Sequence, residues 1–137
     1  MLINLPKFRN LKTKHAKEIL NLLLEQDEPF NVLAHTPAIS FDPELPSHLT
    51  ERFTDAILFA IANYTLQSAY ITDESFVFEA GFGEENIGSI VTVPIENIIQ
   101  ITQEEIPLFV NVTATLPKEK KPNPFALNPR NKKFIKD

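Results

Sequence analysis

At 137 residues, with 43% hydrophobic content and eleven Phe, the chain is long enough for one domain with one core and too short for two ordinary ones. It has no cysteine, which excludes disulfides, thiolate metal sites and cysteine nucleophiles. The net charge of −5 is segregated. Residues 1–17 hold five Lys/Arg and no acid, residues 18–116 hold one (Arg52) against sixteen Asp/Glu, and residues 117–137 hold seven against two. A body this acidic repels the phosphate backbones that nucleic-acid binding has to neutralise.

The N-terminus, "MLINLPKFRN", places Pro6, Lys7 and Arg9 where a signal peptide carries its apolar run. No apolar stretch approaches the ~20 residues of a membrane span. A soluble, cytoplasmic protein is expected. "KTKHAKEILNLLLEQDEP" predicts a helix over about residues 13–26, capped by Thr13 and stopped by Pro29. Ala16, Ile19, Leu20 and Leu23 form its apolar stripe, and Leu22 and Leu24 widen the stripe beyond the ~100° that one core requires. The surplus predicts a twofold homodimer with Ile19, Leu20, Leu22, Leu23 and Leu24 at the interface.

From Phe30 the signals are β. "FNVLAHT" and "AISF" predict short strands, and "DPELPSHLTERFTD" a loop or at most a helical turn. "AILFAIA" is a continuous apolar run, as in a strand buried on both faces. In "SFVFEAGFG" the residues Phe76, Phe78, Ala80 and Phe82 alternate against Val77, Glu79 and Gly81, with a period of two. "SIVTVP" predicts a strand, and "IENIIQI" is ambiguous. "LFVNVTATL" predicts a closing strand with Leu108, Val110, Val112, Ala114 and Leu116 on one side. The expected class is α+β, mostly β: a small, strongly bent sheet or partly open barrel behind an N-terminal helix. Residues 1–116 form the expected single domain, with a β body over 29–116. Residues 117–137, with four prolines and little apolar content, predict a disordered basic tail.

Sites of chemistry are scarce. His15, His35 and His48 lie in separate segments without metal-ligand spacing, and no serine sits in a nucleophile motif. "GFGEENIG" holds all three glycines, but it joins strand to strand and carries Glu84 and Glu85 where a phosphate would sit, so its glycines predict turns and bulges. Adjacent carboxylates such as Glu84 and Glu85 read as solvated loop charges. The expectation is a protein that is not an enzyme and uses no cofactor or metal.

The order of pieces does carry a resemblance. "PFNVLAHTPAISFDPELPSHLTERF", "ILFAIANYTLQSAYITDESFVFEAGFG", "VTVPIENII" and a proline-rich end in "KKFIKD" resemble, over about residues 13–112, the stringent starvation protein B (SspB) family. These proteins are adaptors that tether ssrA-tagged proteins to the ClpXP protease. The resemblance implies an Sm-like bent sheet, a helix at a dimer interface, and an extended tag peptide held in a groove on the sheet body. By matching position, "IANYT" and "EAGFG" would line that groove, with Ala62, Asn63, Tyr64, Thr65, Ala80, Gly81 and Phe82 as the tag-binding residues. Small Ala62, Ala80 and Gly81 let a peptide backbone approach, while Tyr64 and Phe82 offer apolar contact. Phe82 is equally suited to a core position. Lys132, Lys133, Phe134, Ile135 and Lys136 would form the peptide that docks on the ClpX unfoldase, with "PFALN", 124–128, as a second candidate. The chain departs from enterobacterial members at Gly81, where they carry an Arg, and adds a final Asp137.

Two other readings compete with the adaptor. Small bent sheets of the Sm or OB kind commonly bind RNA, which the acidic body opposes. An orphan interaction domain of the same fold, without tag specificity, is the third.

Overall fold

The computed structural model describes residues 1–117. A 3-10 turn at Leu2–Asn4 leads into helix α1, Pro6–Glu25. The helix therefore starts two turns before the expected position. Pro6 sits at its first turn, where the ring presets the backbone and no N–H is missed. Thr13 lies inside the helix and donates its hydroxyl to the Arg9 carbonyl at 2.9 Å. Beyond α1 the chain turns at Gln26–Asp27, where Asp27 takes a left-handed conformation (φ 54), and Pro29 follows just before the first strand.

Eight strands follow: β1 Phe30–His35, β2 Ser40–Asp42, β3 Ala56–Ile61, β4 Tyr70–Ile71, β5 Ser75–Phe82, β6 Ile87–Pro94, β7 Ile98–Gln103 and β8 Ile106–Val110. Helix α2, Ser47–Thr50, is the single turn allowed in the Pro-rich loop, and α3, Asn63–Ser68, follows β3. The strands form two antiparallel four-stranded sheets, ordered β3-β1-β7-β8 and β2-β6-β5-β4, which do not close into a barrel. Helix and strand contents are about equal, so the fold is α+β without the expected excess of β.

One cluster of buried side chains joins α1 to both sheets: Ala16, Leu20 and Leu23 meet Val32, Ile61, Phe76, Phe78, Val91, Val93, Ile98, Ile101 and Phe109. The alternation read in β5 faces this core, where Phe76 and Phe78 pack with ring centroids 5.2 Å apart. Two strand readings need correction. The run "AILFAIA" is an edge strand with one buried face, and Leu58 is 63% exposed. The expected closing strand stops at Val110. Phe109, Asn111 and Thr113 turn inward, while Leu108, Val110 and Val112 face out. The reason is that Asn111 and Thr113 satisfy each other: the Asn111 side-chain oxygen accepts from the Thr113 N–H at 2.9 Å and from its hydroxyl at 2.6 Å. Paired polar groups tolerate burial, so hydrophobicity alone mis-assigned the faces.

No helix among the described residues is long and apolar enough to cross a membrane. Of the residues expected at a dimer interface, Leu20 and Leu23 are buried in the chain's own core and Ile19 and Leu24 pack partly against it. Leu22 is 58% exposed.

Candidate functional site

The β5–β6 hairpin carries the site. Its register pairs Gly81 with Gly88 and Glu79 with Ile90. Directly opposed residues project on the same face of an antiparallel pair. Even-numbered β5 residues and their partners face the core, so the Gly81–Gly88 pair lies on the outer face and contributes no side chain of its own there. A Cβ at Gly88 would meet nothing within 4 Å, whereas the Asn86 side chain lies over Gly81 and would have to move aside for a Cβ there.

Two walls rise beside this floor. The first is α3, which Ala62 introduces in an extended conformation and Asn63 begins at φ 53. It is fastened to β5 through Glu79. The Ser68 hydroxyl accepts from the Glu79 N–H at 2.9 Å and donates to the Thr65 carbonyl at 2.8 Å. The exposed Tyr64 hydroxyl donates to Glu79 Oε2. That bond, and repulsion of a phenolate by the same carboxylate, raise the Tyr64 pKa above its ordinary 10.0. The second wall is the end of β2. The buried Ser89 donates its hydroxyl to the Pro43 carbonyl at 2.9 Å, tying Asp42–Pro43 to β6.

The result is a groove of about 520 Å3 lined by Asp42, Pro43, Tyr64, Thr65, Glu79, Ala80, Gly81, Asn86, Gly88, Ser89 and Ile90. It has the size of a site for a small ligand or a short peptide segment. Its charged lining residues, Asp42 and Glu79, are both acidic. A larger hollow of about 800 Å3 lies between the N-terminal turn and Leu116–Pro117. Its polar groups serve the fold: Arg9 donates to the Leu116 carbonyl at 2.9 Å and pairs with Glu96 at 3.3 Å.

Of the seven residues expected to hold a peptide, Tyr64, Thr65, Ala80 and Gly81 line the groove. Phe82 turns to the core side, edge-on to Phe41 at 5.5 Å, so of its two candidate positions it takes the packing one. Ala62 and Asn63 form the start of α3 and are not on the lining. Lys132, Lys133, Phe134, Ile135 and Lys136 lie outside the described residues. Sequence reasoning missed Asp42, Pro43, Asn86, Gly88, Ser89 and Ile90 as lining residues. Gly88 had a usable signal: two glycines that face each other across a four-residue hairpin loop clear a patch of sheet, whereas each alone reads as a turn.

Among the described residues no group of three or more His, Cys, Asp or Glu is placed to hold a metal ion. His15 instead packs edge-on against Phe109 at 5.5 Å. No family model matches the chain, and no curated protein matches it.

Proposed function

We propose that this protein is a proteolysis adaptor of the SspB kind, which binds an ssrA-type degradation tag and tethers the tagged protein to the ClpX unfoldase of ClpXP. The observation that carries the reading is the gathering of Tyr64, Thr65, Ala80 and Gly81, from two separate segments, around one groove whose floor is open at Gly88 and covered at Gly81 only by the Asn86 side chain. A floor of this kind suits a polypeptide, because a main chain can lie close to it. In this reading the two sheets correspond to an Sm-like bent body, and "KKFIK" at the C-terminus is the unfoldase-docking peptide. The acidic lining speaks against RNA, which needs cations on the binding face.

A homodimer through α1 completes the proposal. Leu22 and Leu11, both exposed, lie three turns apart on one side of the helix. They offer the contact, with Ile19 at its margin, while Leu24 lies on the opposite side of the helix against the core.

The test is equilibrium binding of a fluorescein-labelled ssrA peptide, measured beside a labelled RNA oligomer of similar length. Saturable peptide binding without RNA binding is the expected result. RNA binding in place of peptide binding rejects the adaptor in favour of a nucleic-acid protein, and binding of neither leaves an interaction domain without tag specificity.

A further inference from the structure

The groove contains a hydrogen-bonding pair that the fold leaves open. Strand β4 covers only the beginning of β5, pairing Tyr70 with Val77 and Ile71 with Phe76. The direction of each β5 peptide group is fixed by its neighbours. The Ser75 carbonyl accepts from Thr72 N–H at 2.8 Å, on the β4 side, while the Glu74 carbonyl accepts from Ile95 N–H at 2.9 Å, on the β6 side. N–H and C=O of one residue point the same way in an antiparallel strand and alternate along it. Residues 75, 77, 79 and 81 therefore aim away from β6.

Val77 is met by β4, and the Glu79 N–H by the Ser68 hydroxyl. Gly81 is met on that edge by none of the described residues, and it lines the groove. An exposed strand edge with a free donor and acceptor is a template for another strand. The occupant's charge is limited as well: Asp42 and Glu79 line the groove with no Lys, Arg or His among the lining residues.

Resting on the peptide-binding reading above, we propose that the groove takes its peptide by strand addition at Gly81, with an uncharged or basic side chain of the peptide beside Glu79. Main-chain pairing would make recognition tolerant of sequence at the paired residue. The Glu79 carboxylate would set the preference next to it.

The experiment uses the full chain and a fluorescein-labelled ssrA peptide, read by anisotropy. Gly81→Ala and Gly81→Pro add a carbon at the same place, against the movable Asn86 side chain, but only Pro removes the N–H. That N–H does not pair with β6, so proline is compatible with the fold there. Gly81→Ala is expected within about threefold of the wild-type affinity, and Gly81→Pro about tenfold weaker, as for one or more lost main-chain hydrogen bonds. On the wild-type protein, single N-methylation along the peptide is expected to weaken binding at alternating residues. Glu is expected to weaken it more than Lys when placed between the sensitive positions. Equal affinities for the Ala and Pro variants, or a flat N-methyl scan, overturn strand addition while the peptide-binding reading stands. Glu tolerated as well as Lys overturns the charge preference. A wild-type chain that does not bind the peptide overturns the reading on which the inference rests, and the inference with it.

Discussion

Glu79 holds the groove together at the scale of single residues, because its N–H fixes Ser68 and its carboxylate fixes Tyr64. Tyr64 is consequently harder to ionise, and the sign of its pH effect follows. A pKa raised in the folded state adds stability that is fully present below the unfolded value of 10.0 and is lost as pH rises through the higher folded value. Tyrosinate absorbance is expected to show a Tyr64 midpoint above 10.0 that falls in Glu79→Gln. An unchanged midpoint would remove the carboxylate as its cause. Ser89 has the matching role on the other wall. Ser89→Ala leaves the Pro43 carbonyl without its donor and is expected to cost about 1 kcal/mol in urea unfolding, with weaker peptide binding. These contacts were not legible in the sequence. Ser68 and Ser89 carry no local signal of their partners, since Ser89 meets a residue 46 positions away. The alternation that put Phe82 on the same face as Phe76 and Phe78 was legible, because a regular strand preserves parity along its length.

Helix α1 shows how far an apolar pattern carries at the scale of an element. The stripe of Ala16, Leu20 and Leu23 was read from spacing alone and is the buried face. The start was misplaced because "PKFRNLKTK" is polar, and polarity does not end a helix when proline opens it and nothing later breaks it. The wide stripe then separates into two roles. Leu20→Ala is expected to destabilise the chain by about 2–5 kcal/mol, since Leu20 is wholly buried. Leu24→Glu is expected to destabilise as well, because Leu24 packs against the core. Leu22→Glu is expected to leave the unfolding midpoint nearly unchanged, within about 0.5 kcal/mol, and to reduce the mass in light scattering from dimer to monomer. A Leu22→Glu chain that remains a dimer would place any interface elsewhere. Helix α3 escaped notice because six residues, "NYTLQS", are too few for a helical period to emerge beside the apolar run before them.

In the whole molecule, charge and topology divide the work. The acidic body places the groove on the outer face of one sheet, while the basic residues gather at the two ends of the sequence. Arg9, from the basic N-terminal segment, binds Leu116 and Glu96 and so fixes the end of the described chain against α1. If the C-terminal peptide tethers, truncation after Pro129 is expected to keep the tag affinity and lose the stimulation of ClpXP degradation at limiting substrate. Stimulation that survives truncation would contradict tethering. The α+β class and six of the eight strands were legible from period and proline placement, whereas the two-residue β4 was missed and β7 stayed ambiguous. The division into two sheets was not legible, because pairing joins strands far apart in sequence, as β1 with β7. The central claim, a peptide in the groove over the Gly81–Gly88 floor, is tested most directly by the affinity of the labelled ssrA peptide for Gly88→Trp against wild type. A side chain at Gly88 enters open space, so the variant is expected to fold normally. The account predicts at least about tenfold weaker binding at an unchanged unfolding midpoint, as expected when bulk displaces a close-lying chain worth 1.4 kcal/mol or more. Wild-type affinity in the folded variant would contradict it.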